Sequence, residues 1–323
     1  MHEFICGNAY DSLKSLPSES IHCVVTSPPY WMQRKSLVDG QIGVENHLNE
    51  YLDNLVDVFD EVYRVLRPDG TMWLNLGDVY VSDKKCRVPI GLKRKDLIGL
   101  PWRVAFELQK SGWYLRSDCI WSKPNAMPSA ARDRPNRSHE YVFLMSKQGN
   151  YFYDQDAVME PAVVGTRNRR SVWEINTQPS PVNHYAAFPE ALAKVCIEAG
   201  TSERGCCPKC GGQVVRVTTS KRLRRDELDP SDPRYRPNRY KGAYSDINGR
   251  GDAGYTERAT VGWTPSCGCD AEETIPCVVL DPFGGTGTVS KVARDLGRSS
   301  IMIDINPEYV DIAKRRLGVQ ERG

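Results

Sequence analysis

Short apolar, β-branched runs alternate along this chain with longer stretches in which apolar positions recur every three to four residues. Ile21-His22-Cys23-Val24-Val25 has strand length and is apolar almost throughout, the pattern of a strand covered on both faces. From His47 to Leu66 the apolar positions Leu48, Leu52, Leu55, Val56, Phe59, Val62, Tyr63 and Leu66 fall on one helical face. Arg67-Pro68-Asp69-Gly70 is expected to stop that helix before a strand at Thr71 to Leu76. The same reading predicts a short strand from Glu3 that turns at Gly7-Asn8 and a helical patch from Asp11 to Leu16. It also predicts helices at Pro101 to Ser111 and His184 to Ala199, with strands near Tyr114 to Trp121 and Tyr141 to Met145. Near the end come strand Cys277 to Leu280, helix Thr286 to Leu296, strand Ser300 to Ile305 and helix Pro307 to Leu317. Such alternation predicts an α/β fold with a mostly parallel sheet flanked by helices.

Between residues 201 and 275 the alternation is lost. Cys206 to Trp263 is rich in Gly, Pro, Arg, Asp and Tyr, and only Gln213 to Thr219 reads as a strand. The expected organisation is therefore one α/β domain from residues 1–200 and 276–323, with 201–275 inserted into it. From Arg204 to Trp263, Lys and Arg outnumber Asp and Glu by 13 to 7, although the whole chain carries only +2. Concentrated positive charge suits nucleic-acid phosphates; a solvated loop would carry it equally well. Cys207-Pro208-Lys209-Cys210 and Cys267-Gly268-Cys269 supply four thiols, the donor set of a structural tetrahedral zinc site, with Cys206 as a substitute for a neighbour. So small an insertion cannot bury a core, and a metal would take that place. Free thiols in a loop are the alternative reading.

Composition narrows the class without naming a function. The 40% apolar and 26% charged fractions are those of a soluble globular protein. No run approaches the roughly 18 apolar residues of a spanning helix. The first residues lack the basic and apolar regions of a signal peptide, so a cytoplasmic location with reduced thiols and no membrane partner is expected.

Candidate chemistry sits on two loops. Val278-Val279-Leu280-Asp281-Pro282-Phe283-Gly284-Gly285-Thr286-Gly287-Thr288 reads as strand, glycine-rich turn and helix start, and Asp304 ends the next strand about 20 residues on. That pairing suits a nucleotide-containing ligand, with Asp304 accepting from a ribose diol. Gly284, Gly285 and Gly287 do not have the G-x-G-x-x-G spacing of a dehydrogenase. The second loop, Thr26-Ser27-Pro28-Pro29-Tyr30-Trp31, follows a buried strand.

Ser27-Pro28-Pro29-Tyr30 resembles the catalytic loop of amino-DNA methyltransferases, and Asp281 to Gly287 resembles their S-adenosylmethionine loop. Gly7-Asn8-Ala9, Leu66-Arg67-Pro68-Asp69-Gly70, Trp121-Ser122-Lys123-Pro124, Ser138-His139-Glu140-Tyr141 and the H-x-x-x-F-P pattern from His184 to Pro189 extend the likeness to residues 3–200 and 276–317. With the catalytic loop first and the cofactor loop last, the order is similar to that of the permuted β class. The resemblance implies a Rossmann-like methyltransferase fold with a seven-stranded, mostly parallel sheet and a small zinc-ribbon-like insertion. It implies S-adenosylmethionine bound by Asn8, Asp281, Phe283, Gly284, Gly285, Thr286, Gly287, Thr288 and Asp304, with Phe188 beside the methionine part. Where family members often carry Asp, this chain has Asn8, whose amide both donates and accepts.

An exocyclic amine conjugated to its ring is a poor nucleophile, and acceptors that hold its N–H groups raise electron density on nitrogen. Ser27 and the Pro28 carbonyl suit that work, the consecutive prolines Pro28 and Pro29 stiffen the loop, and Tyr30 offers a face to an extruded base. Cys23 needs no nucleophilic role. Serine at the first position is typical of cytosine-N4 members, whereas Asp is common in adenine-N6 members, the alternative acceptor. Trp31, Trp121 and Lys123 are expected near the base or the DNA backbone, and His139 with Glu140 as support of the target pocket, although Trp121 suits the core and His139-Glu140 a surface pair equally. Arg222, Arg224, Arg225 and Arg236, with Arg234, Arg239, Tyr235 and Tyr240, are expected to meet phosphates, base edges and bases in duplex DNA. The basic loop Lys84 to Lys95 is a further candidate for covering DNA or cofactor. The expected setting is a restriction-modification or solitary, including phage, system, with a cognate restriction endonuclease as functional counterpart. Competing readings are an RNA or small-amine methyltransferase and a zinc-containing DNA-binding protein with a degenerate cofactor fold. The oligomeric state stays open.

Overall fold

The computed structural model describes residues 1–33, 38–81, 91–161, 166–178, 189–223, 229–232, 235 and 255–319, without the side chains at 222–223 and 255–257. In chain order the elements are β1 (His2–Cys6), α1 (Ala9–Lys14), β2 (Ile21–Thr26), α2 (Leu48–Val65), β3 (Leu66–Leu76), α3 (Leu100–Lys110), β4 (Tyr114–Ser122) and β5 (His139–Ser146). There follow β6 (Glu160–Pro161), β7 (Thr166–Arg167), β8 (Val172–Glu174), α4 (Glu190–Gly200), β9 (Val214–Leu223) and β10 (Tyr255–Pro265). The last elements are β11 (Val278–Asp281), α5 (Thr288–Asp295), β12 (Ser299–Asp304) and α6 (Pro307–Arg316).

One sheet carries eight strands in the order β1-β12-β11-β2-β3-β5-β4-β8. The resemblance implied seven; the additional strand, β8, is three residues long and lies at the edge beside β4. Among the described residues of this sheet only β5 runs against the rest, pairing antiparallel with β3 and β4. The C-terminal ends of β1, β12, β11, β2, β3 and β4 therefore share one edge with the N-terminal end of β5.

Burial on both faces explains the apolar runs. All six residues of β2 are buried. Along the central strands successive side chains enter opposite layers. Val24, Met72, Leu74 and Phe143 join residues of α1, α2 and α3 on one face, while Cys23, Val25, Trp73 and Val142 join α4 and α5 on the other. The amphipathic reading of α2 holds, with Leu48, Leu52, Leu55, Phe59 and Val62 all buried. Its expected stop at Arg67 to Gly70 is different in detail. Leu66 is already extended and pairs with Ile21, and the register shifts before Cys23 meets Thr71, so those four residues form an irregularity inside β3. Gly70 serves close packing there, since a Cβ would lie 2.6 Å from Leu66 Cδ1.

Strands β9 and β10, within the segment expected as an insertion, form a separate antiparallel pair. The sequence reading missed β10 because Tyr255-Thr-Glu-Arg-Ala-Thr lacks an apolar run. Near its start the pair is tied to the main domain by Arg216, whose Nε donates to both oxygens of buried Asp154 at 2.8 Å, with the guanidinium 4.3 Å from the Trp263 ring. Among the described residues no helix is long and apolar enough to cross a membrane.

Helix α4 meets the sheet at Gly200, where a Cβ would lie 2.6 Å from both Cys23 Sγ and Thr71 Oγ1. Gly200→Ala should therefore destabilise the fold by about 1–3 kcal/mol, as overpacking does. Thermal unfolding reads this out; an unchanged midpoint would mean that α4 can lift off the sheet without cost.

Candidate active site

The two loops singled out by the sequence follow adjacent strands. Val279 and Leu280 of β11 pair with Cys23 and Val24 of β2, so Ser27-Pro28-Pro29-Tyr30 and Pro282 to Gly287 emerge side by side. At their bases Thr26 Oγ1 donates to Asp281 Oδ1 at 2.7 Å, with both residues buried. Above this bond lies one cavity, lined by Ser27 and Pro29 on one side and by Asp281 to Thr286 on the other, with Asn8 and Asp304 also on its wall. The carboxyl edge of a parallel sheet is where open α/β folds bind ligands.

Backbone geometry explains the glycines of the second loop. Gly285 and Gly287 have φ of 53° and 78°, left-handed values that cost a side chain energy. The Gly285 N–H donates to Asp304 Oδ2 and the Asn306 N–H to Oδ1, each at 2.8 Å, which orients that carboxylate. Asn8 caps α1 by accepting from the Tyr10 N–H at 2.9 Å. Burial raises the Asp281 carboxyl to about 7; the Thr26 hydroxyl and Phe283 N–H pull it down, and the nearby Asp304 pushes it up. Asp281 and Asp304 are the charged residues in the cavity wall, which holds no Lys or Arg among the described residues.

Around Tyr30 the polar groups form a chain. Its hydroxyl donates to Glu140 Oε2 at 2.9 Å, lies 3.2 Å from Ser27 Oγ and 3.4 Å from Asn75 Oδ1. Glu140 also accepts from Lys123 Nζ. Burial, followed by the Glu140 charge, holds the Tyr30 phenol well above its ordinary range, so it stays protonated. Tyr51 donates to the Pro29 carbonyl at 3.0 Å and fixes the loop from below. Gly77 leaves room for the group, since a Cβ there would lie 2.8 Å from Tyr30 Cε2 and 3.2 Å from the Glu140 carboxyl.

A family model described as DNA methylase, of the N6/N4 methyltransferase kind, matches residues 21–214 and 277–315. The chain belongs to the N6/N4 DNA methylase family. Among its relatives, the type II methyltransferase M.SmaI of Serratia marcescens is 38% identical over 335 residues, covering 98% of this chain and 90% of the relative. M.Cfr9I of Citrobacter freundii is 39% identical over 329 residues, covering 96% of this chain and 86% of its own. In fold the methylase is similar to the PvuII DNA methyltransferase (cytosine-N4-specific), with a TM-score of 0.61, 19% identity, and coverage of 99% of this chain and 87% of that one. The M1.HpyAVI–SAM complex gives a TM-score of 0.54 at 14% identity, covering 98% and 99%.

Several residues expected at the substrate or cofactor have other partners in the methylase. Trp31 is fully buried and donates its indole N–H to the Glu45 carbonyl at 3.0 Å, so it belongs to the core rather than to a DNA surface. Trp121 is likewise buried, donates to the Ile175 carbonyl at 2.8 Å, and carries Lys123 Nζ 4.1 Å from its ring centroid. Lys123 instead reaches Glu140, and His139 packs edge-on to Tyr141. Thr286 and Thr288 line the cavity as expected of the cofactor loop, with their hydroxyls toward Arg316 Nη1, at 3.1 and 3.4 Å. Phe188, Arg224, Arg225, Arg234, Arg236, Arg239, Tyr240 and the loop from Lys84 to Ile90 lie outside the described residues, as does the side chain of Arg222. Asn75, Gly77 and Tyr51 went unnoticed in the sequence; the signal for the first two was a polar and a glycine residue at the carboxyl end of an apolar strand.

The sulfurs of Cys207, Cys210, Cys267 and Cys269 all lie within 4.8 Å of one another. Cys206 does not replace a neighbour, because it faces His22 and Cys277 instead. His22 uses both ring nitrogens: Nδ1 accepts from the Val278 N–H at 3.0 Å, and Nε2 donates to the Gly211 carbonyl at 2.9 Å. With Arg67 Nη1 donating to the Cys210 carbonyl at 2.7 Å, this docks the cysteine knuckle at the edge of the sheet opposite the cavity.

The buried Asp281 carboxyl makes stability depend on pH. Its value of about 7 is raised above the ordinary 3.8. Between those two values the folded methylase holds a proton that the unfolded chain has lost, so stability falls as pH rises through that window. Asp281→Asn keeps an acceptor for Thr26 and Phe283 while removing the titration. Its unfolding midpoint should gain on that of the parent between pH 4 and pH 8, the parent losing roughly 1.4 kcal/mol for each pH step of one across the window; a difference that does not change with pH would sink this.

Proposed function

We propose that this methylase transfers the methyl group of S-adenosylmethionine to the exocyclic N4 of a cytosine flipped out of duplex DNA, at a specific site. The observation that carries the reading is the shared cavity: Ser27 and Pro29 face the same space as Asp281, Asp304 and the glycine loop. A wall whose carboxyl groups are those of Asp281 and Asp304, with no Lys or Arg among the described residues, suits a cationic nucleoside better than a dinucleotide with a pyrophosphate. Asp304 would accept from the ribose hydroxyls, Asn8 would meet the adenine, and the carboxylates would favour the sulfonium. Bound there, the donor supplies an electrophilic methyl group.

The chain's own residues do the rest. Ser27 Oγ and the Pro28 carbonyl accept the N–H groups of the amine and so keep its lone pair localised on nitrogen. The Tyr51 hydroxyl and the two prolines hold the loop, so that the acceptors need little reorganisation during the reaction. Serine at position 27 favours cytosine over adenine, and the PvuII methyltransferase, similar in fold, is named as cytosine-N4-specific. Type II methyltransferase relatives support a role in restriction-modification or as a solitary modifying enzyme, with any cognate nuclease acting on the same DNA site. Residues 201–275 are the proposed target-recognition element, anchored by one structural zinc on Cys207, Cys210, Cys267 and Cys269. Four mutually close sulfurs at the root of a two-stranded pair, next to the Arg216–Asp154 tie, support that assignment.

Ser27→Ala should slow methyl transfer by about one to three orders of magnitude while leaving cofactor affinity near that of the parent, the loss expected for one positioned acceptor. Incorporation of labelled methyl groups into duplex DNA measures it, and sequencing with a method that resolves modified bases identifies base and site. Unchanged turnover would remove Ser27 from the chemistry. Elemental analysis of gently purified protein should find about one zinc per chain, with loss of the metal lowering thermal stability; a metal-free, fully stable protein would defeat the zinc assignment.

A further inference from the structure

Amino methylation leaves a surplus proton on the nitrogen, and the groups around Tyr30 are arranged in a definite direction to receive one. Tyr30 has a single O–H. Glu140 Oε2, at 2.9 Å, is an acceptor. Asn75 Oδ1, at 3.4 Å, is also an acceptor, because the other end of that amide donates to the Tyr141 carbonyl at 3.1 Å. The phenolic proton therefore points to the carboxylate side, and the remaining contact, 3.2 Å to Ser27 Oγ, has serine as the donor. With its proton turned toward Tyr30, Ser27 presents only lone pairs to an incoming amine.

We infer that Glu140, acting through Tyr30, sets the direction of the Ser27 hydroxyl and takes the proton released by methyl transfer. The inference rests on Ser27 being the acceptor for the amine, as proposed above. The amine nitrogen forms its bond to the methyl carbon as the carbon–sulfur bond breaks, with that electron pair staying on sulfur. The surplus N–H proton passes to Ser27 Oγ while the serine proton moves to Tyr30 Oη and the phenolic proton to Glu140 Oε2. The products are a neutral methylamino base, a neutral thioether and a protonated Glu140, which returns its proton to water before the next cycle. Lys123, itself only 18% exposed, pairs with the other oxygen, Glu140 Oε1, and leaves Oε2 to Tyr30. Tyr30 serves as a neutral relay because its own ionisation is strongly disfavoured. Glu140 is thus a positioning residue and proton acceptor that never touches the substrate.

The test is single-turnover methyl transfer to duplex DNA by the full chain, with S-adenosylmethionine affinity measured in parallel. Tyr30→Phe keeps the aromatic face and removes the hydroxyl. It and Glu140→Gln should each slow transfer by about a hundredfold, in the range of a lost proton-transfer partner, with cofactor affinity and KM for DNA unchanged. The double variant should be no slower than the slower single one, since both break the same relay, and Glu140→Asp should recover part of the rate. Tyr30→Phe at the parental rate, or losses that multiply in the double variant, would overturn the relay. If Ser27→Ala also runs at the parental rate, the catalytic reading of the loop fails first; a slow Ser27→Ala beside a fast Tyr30→Phe defeats the relay alone.

Discussion

The hydrogen bond from Thr26 to Asp281 joins the ends of two neighbouring parallel strands at the height where the chain leaves the sheet. Its partners are 255 residues apart in sequence, and both are buried. Because strands β2 and β11 lie side by side, the loops after them share a cavity whichever way the rest of the chain is connected. This constraint accounts for the permuted order of the motifs. Strand neighbourhood, not sequence order, decides which loops cooperate.

Charge is divided along the same lines. The cavity wall carries two carboxylates, and the inserted segment carries the excess of Lys and Arg. A cationic ligand suits the first and a polyanion the second. Keeping a buried carboxyl there costs stability near neutral pH, a local strain of the kind that binding sites tolerate. The cysteine knuckle sits at the far edge of the sheet, braced by His22 and Arg67, and so fastens the insertion without crowding the cavity.

The sequence expectations that held were those set by local chemistry. Apolar periodicity located β2, α2, β12 and α6 to within a residue or two, and the pairing of Ser27-Pro28-Pro29-Tyr30 with Asp281 to Gly287 pointed to the family that the relatives bear out. Where the reading went astray, a distant partner had decided the outcome. Trp31 looked like a continuation of the substrate loop, yet the Glu45 carbonyl draws it inward. Arg67 to Gly70 looked like a plain helix stop, but pairing of Leu66 with Ile21 absorbs it into β3. Strand β10 has no apolar run of its own and forms because β9 offers it a ladder.

By itself, then, the sequence determined the fold class, the two chemical loops, the cysteine set and the family. The fold class and the cysteine set follow from periodicity, turn residues and spacing, and the loops and the family from the likeness of two short motifs, all of which act over a few residues. Only the tertiary structure decided that Tyr30 lies between Ser27, Asn75 and Glu140, that Cys206 faces His22 instead of the four-cysteine group, and that Trp31 and Trp121 are core. Each of those outcomes depends on groups brought together from separate strands, and no local pattern encodes which strand will be the neighbour.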